Sequence, residues 1–182
     1  MPQYAMLSDM KKMLVGIMLL LVVQGLCFAR GIAEERVELE FAALSEQLKP
    51  YLITGDYTSA IPMLKRMHEL MPQELYLIEN LGILYSAIPE DRPLFTNSMY
   101  WLLEAEKRNS RNDSIYYCLA CIYSINDDLE NAIKYMDKAI SYGWADFEWM
   151  SQDTDLANLR TTAWWKNIED IQCHEYGALL RY

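Results

Sequence analysis

Asn80-Leu81-Gly82-Ile83-Leu84-Tyr85 is the stretch whose reading decides the fold. A glycine inside an apolar helical run costs about 1 kcal/mol against alanine, so its place there is explained best by a second segment crossing closely over it. Working outward, Gly55-Asp56-Tyr57-Thr58-Ser59-Ala60-Ile61 and Asp127-Asp128-Leu129-Glu130-Asn131-Ala132-Ile133 repeat one pattern of turn followed by helix. Three segments then align in phase. Leu48 and Tyr51 lead to Ala60, Leu64, Met67 and Pro72. Leu81, Gly82 and Tyr85 lead to Ser98, Leu102, Ala105 and Ser110. Leu119, Ala120 and Tyr123 lead to Ala132, Met136, Ala139 and Gly143.

These positions resemble the tetratricopeptide (TPR) pattern of roughly 34 residues, in which each unit is a pair of antiparallel helices. The resemblance implies an all-α, TPR-like α-solenoid of about three helical hairpins. The units span residues 41–74, 75–112 and 113–146. In each, Leu48, Gly82 or Ala120 on the first helix is faced by Ala60, Ser98 or Ala132 on the second. Leu48 is too large for the pattern, whereas the other two pairs are small on both sides. Tyr51, Tyr85 and Tyr123 recur at one position and are expected to fill the gaps between units. The interval from Gly82 to Ser98 is four residues longer than that from Ala120 to Ala132. The excess falls at residues 87–93, where Pro89 and Pro93 forbid a continuous helix and imply a longer turn. Two readings of that turn stay open, a tolerated surface insertion and a loop that touches a partner.

Residues 147–182 are similar to the tail that follows the last unit in many bacterial TPR proteins, with an Asp-rich turn at Asp153 and Asp155, then Leu156-Ala157-Asn158-Leu159-Arg160, then an aromatic helix through Trp164 and Trp165. The last unit of a solenoid has no neighbour over its apolar face. Trp149, Leu156, Leu159 and Trp165 are expected to cover it.

Composition agrees with helices. Hydrophobic residues make up 52% of the 182 and charged ones 23%, too apolar for a disordered chain. Seven glycines and six prolines are too few for the close turns of a β-sandwich. Sixteen basic against 26 acidic side chains give a formal charge of -10, which repels phosphate backbones and argues against a nucleic-acid partner.

The N-terminal 29 residues read as a signal peptide. Lys11 and Lys12 precede sixteen uncharged residues, 13–28, and small Cys27 and Ala29 suit cleavage after Ala29. The apolar stretch is short of the about 20 residues that span a bilayer. A retained N-terminal anchor and lipidation at Cys27 are the alternatives. Residues 30–40 then begin the mature chain and lead into the first helix, and the protein is expected to be exported, periplasmic or envelope-associated.

Chemistry is harder to find. Cys118-Leu119-Ala120-Cys121 has CxxC spacing, but in mid-helix, away from the helix N-terminus where a thiolate is stabilised, so the thiols are read as small packing residues. No catalytic triad, phosphate-cradling glycine loop or His-Glu-x-x-His arrangement occurs in the sequence. A non-enzymatic interaction module, without cofactor or metal, is expected. In the TPR family the first helices line a concave groove. By phase the groove takes Lys49 and Leu52 from the first unit, Tyr76, Glu79 and Ile83 from the second, and Tyr117, Cys121 and Ser124 from the third. One lysine is too little for the carboxylate-gripping ring of TPR chaperone adaptors. Tyr76, Ile83 and Tyr117 suit a partner protein's extended peptide or amphipathic helix. The alternative is a structural subunit of an envelope assembly, docked by its aromatic tail.

Overall fold

The computed structural model describes residues 31–170. The expected signal segment, Cys27, Cys173 and His174 lie outside them. Among the described residues there is no strand, and no helix is long and apolar enough to cross a membrane. The chain divides into two units between Gln47 and Leu48. In the first, residues 31–47 are helical throughout.

The second unit opens with helix α1, residues 48–54. There follow α2 (Tyr57–Leu70), α3 (Leu75–Ala87), α4 (Thr96–Lys107), α5 (Asp113–Ile125), α6 (Leu129–Tyr142) and α7 (Phe147–Gln152). Two short 3₁₀ turns, Thr154–Leu156 and Leu159–Thr161, lead to α8, residues 163–170.

The recurring turns have a recurring cause. Gly55 and Asp127 both adopt left-handed backbone, with φ of +74° and +60°, which reverses the chain after a helix. The next residue then caps the following helix. Asp56 accepts from the Ser59 N–H at 3.1 Å and Asp128 from the Asn131 N–H at 3.2 Å. Asp146 repeats the device for α7, accepting from the Trp149 N–H at 2.9 Å.

α3 packs against α2 and α4, and α5 against α3, α4 and α6. Their sequences say why. LYLIENLGILYSA and DSIYYCLACIYSI carry apolar residues nearly all round, so each must be covered from several sides. α3 and α4 approach closely at Gly82. A Cβ there would lie 2.7 Å from Leu102 Cδ2 and 3.0 Å from the Leu102 backbone nitrogen. The approach is therefore centred one turn beyond Ser98, the residue expected to face Gly82. Ser98 is fully buried and occupied elsewhere. At the equivalent places in α5 and α6, Ala120 and Ala132 are both fully buried.

The turn between α3 and α4 is more than a surface insertion. Ile88, Asp91 and Phe95 are buried in it. Phe95 precedes α4 in a left-handed conformation and supplies no side-chain cap, so Asp91 does the capping. Its Oδ2 accepts from the Ser98 N–H at 2.8 Å and the Ser98 hydroxyl at 2.7 Å. Its Oδ1 accepts from the Asn97 N–H at 3.0 Å and side-chain amide at 2.9 Å.

The C-terminal segment covers α5 and α6. Leu156 and Leu159 are fully buried and Trp165 nearly so, as the sequence led us to expect. Trp149 differs. It is 55% exposed, and Met150 beside it takes the buried position. Each of these buried side chains contributes about 1.5–3 kcal/mol.

Candidate functional site

Between the end of α3, the α3–α4 turn, α5 and the C-terminal segment lies an open cleft of about 560 Å³. Its floor is α5, which presents Tyr117, Cys118, Cys121 and Ile125. Trp149, Asp153 and Asp155 form the C-terminal wall. Ser86, Arg92 and Phe95 form the wall opposite.

Tyr117 is buried, stacked on Trp144 with ring centroids 4.0 Å apart. Its hydroxyl donates to Asp153 Oδ2 at 2.6 Å. The Cys121 thiol reaches the same oxygen at 3.7 Å. Asp153 Oδ1 accepts from the Asp155 N–H at 2.9 Å. Arg160 donates to the Asp153 carbonyl at 2.6 Å and the Met150 carbonyl at 3.1 Å, pinning the segment that carries both carboxylates. Arg92 forms an ion pair with Asp155 Oδ1, so the two walls are joined at the rim.

The phenol and thiols on the floor of the cleft resist ionisation. Burial pushes the Tyr117 phenol far above its ordinary value, and the Cys121 thiol and Asp153 add to the effect. Burial likewise pushes the Cys118 thiol up to about 11, with a hydrogen bond from Ser86 offsetting part of the rise and Asp153 and Asp155 increasing it. Cys121 is raised well above the usual thiol range by burial, then by Asp153. Both cysteines are unpaired. They are neutral, weakly polar groups at neutral pH, not thiolate nucleophiles. Among the described residues no cluster of three His, Cys, Asp or Glu is placed to hold a metal ion.

The residues expected in a groove are spread over different environments. Tyr117 and Cys121 line the cleft. Ser124 is fully buried beneath the C-terminal segment, where its hydroxyl accepts from the Leu159 N–H at 3.2 Å and its carbonyl from the Asn158 amide at 2.9 Å. Phase put Ser124 in an open groove, but the C-terminal segment closes over it. Glu79 binds Ser110 and Asn112 and so ties α3 to the α4–α5 turn. Tyr76 is 43% exposed and Ile83 half-buried, but neither lines the cleft, nor do exposed Lys49 and Leu52.

Sequence reasoning had not placed Arg92, Trp149, Asp153 or Asp155 here. Arg92 belongs to the Pro-bounded turn for which a partner contact was one of two readings. The sequence assigns Asp153 and Asp155 to a turn, a role Asp153 does fill. Compared with protein-family models, curated proteins and solved structures, the chain shows no match, so its function is read from these residues.

Proposed function

We propose that this is a non-enzymatic TPR-type α-solenoid protein that holds an apolar segment of another protein in the cleft over α5. One observation carries the reading: a cavity of about 560 Å³ whose floor is neutral aromatic, aliphatic and thiol surface, with a half-exposed tryptophan at its edge. Sites of this size that combine apolar side chains with placed polar groups suit ligands that bury side chains. A partially exposed indole is a common anchor in protein recognition. The shared geometry of the Gly55–Asp56 and Asp127–Asp128 turns supports the repeat assignment.

The N-terminal residues 1–29 extend the proposal to an exported, envelope-associated protein, because a basic start, a short apolar run and a small-residue exit suit a secretion signal. The alternative, docking of the aromatic tail into a larger assembly, has less to draw on. Trp165 is buried, and the Trp164 indole donates to Asp137 at 2.9 Å within the chain.

Site-specific photo-crosslinking tests the reading. A photoreactive phenylalanine in place of exposed Gln152, inside the cleft, should capture a discrete partner in cells. The same group in place of exposed Lys107 should not, and Trp149→Ala should abolish the Gln152 product. Equal capture from both positions, insensitive to Trp149→Ala, would refute it.

A further inference from the structure

We infer that the segment received by this cleft carries a basic side chain, seated against Asp155 and Asp153 beside the Trp149 indole and displacing Arg92 from its ion pair. The inference rests on the cleft being a protein-binding site and specifies what that site selects.

Charge complementarity is the first argument. The cleft holds two carboxylates on one wall and one guanidinium on the other, in a chain of formal charge -10. The negative field extends into the cavity, since Asp153 and Asp155 both disfavour ionisation of the Cys118 and Cys121 thiols beneath them. An acidic guest would have to take Arg92 from Asp155 and leave that carboxylate unpaired beside Asp153. A basic guest takes Arg92's place without that cost.

Availability is the second. Asp153 is mostly engaged within the chain, with Tyr117 and Cys121 on one oxygen and the Asp155 N–H on the other, and adds its charge to the site. Asp155 is different, because among the described residues its carboxylate pairs only with the half-exposed Arg92, on the opposite wall. Exposed ion pairs contribute about 0–1 kcal/mol, so this one yields readily. Trp149, 55% exposed in the same wall, offers an indole face to a guanidinium or ammonium group.

Arg92 therefore acts as a resident competitor, which makes the proposal sharply testable. The probe is a phage-displayed library of random 12-residue peptides selected on the full-length chain. Bound phage should be rich in Arg or Lys next to apolar residues. The leading peptide, synthesised with citrulline for its arginine (or norleucine for its lysine), should bind about tenfold more weakly. Asp155→Asn should erase that difference, and Arg92→Gln should tighten the basic peptide several-fold, with circular dichroism unchanged in both variants. Apolar peptides that bind in a Trp149-dependent way but ignore citrulline, Asp155→Asn and Arg92→Gln would overturn this inference and leave the cleft as a binding site. Selected peptides unaffected by Trp149→Ala, or no selection at all, would overturn both.

Discussion

The Tyr117 hydroxyl donates to Asp153 Oδ2 at 2.6 Å, joining α5 to the segment that forms the C-terminal wall of the cleft. The bond is charge-assisted and part-buried. Tyr117→Phe keeps the ring stacked on Trp144 and removes only the donor. It should cost about 1.5–3 kcal/mol, a fall in Tm of roughly 2–4 °C per kcal/mol for a chain of this size. Thermal unfolding followed by circular dichroism measures it, and an unchanged Tm would show that water replaces the hydroxyl at no cost.

At Gly82, α3 and α4 come close together. Gly82→Ala gains helix propensity of about 1 kcal/mol but places a methyl group 2.7–2.8 Å from the Leu102 side chain and 3.0 Å from its backbone nitrogen. The leucine could swing aside; the backbone nitrogen cannot. Overpacking of this kind costs about 1–3 kcal/mol, so the variant should be destabilised despite its better propensity. Urea denaturation decides the sign.

The fold was legible wherever a residue would be unfavourable without its tertiary reason. Gly82 in an apolar helix required a close neighbour, and left-handed Gly55 was followed by the same Asp cap as its counterpart Asp127. What was not legible depends on chain laid down later. Repeat phase places Ser124 on a face of α5 but cannot show that Asn158 and Leu159 will seal it. Trp149 and Met150 differ by one position, which on a helix is a rotation of about 100°, enough to exchange a cap for a cleft wall. Asp91 caps α4 from five residues before its first residue, outside any local capping motif.

Thiol chemistry reports on the cleft floor. With its pKa pushed up to about 11, Cys118 is ionised at pH 8 to about one part in a thousand, whereas a free thiol near 8.5 is about one quarter ionised. Iodoacetamide should therefore modify Cys118 in the native protein roughly two-hundredfold more slowly than in urea, and Cys121 more slowly still. Peptide-resolved mass spectrometry follows each site separately. Native labelling of either at the denatured rate would mean that the floor is open to water.

Asp91 ties the α3–α4 turn to α4 and gives that junction a pH dependence. Burial alone would raise its pKa, but the hydrogen bonds from Ser98 and Asn97 outweigh it, and the folded value lies below the ordinary 3.8. The unfolded chain therefore binds the Asp91 proton at a higher pH than the folded one. The group's stabilisation is fully present above about pH 4–5 and is lost as pH falls through the depressed folded value. Asp91→Asn removes the charge and turns an amide toward groups that are themselves donors, which should cost about 1–3 kcal/mol at neutral pH. Glu106 is also held below its ordinary value, by hydrogen bonds from Lys138 and Tyr135 that outweigh its burial, so the wild type has more than one source of acid sensitivity. The difference between wild-type and Asp91→Asn unfolding free energies isolates Asp91. That difference should be constant from pH 8 to 5 and shrink below pH 4. A difference that does not change down to pH 3 would show that Asp91 holds α4 by shape alone.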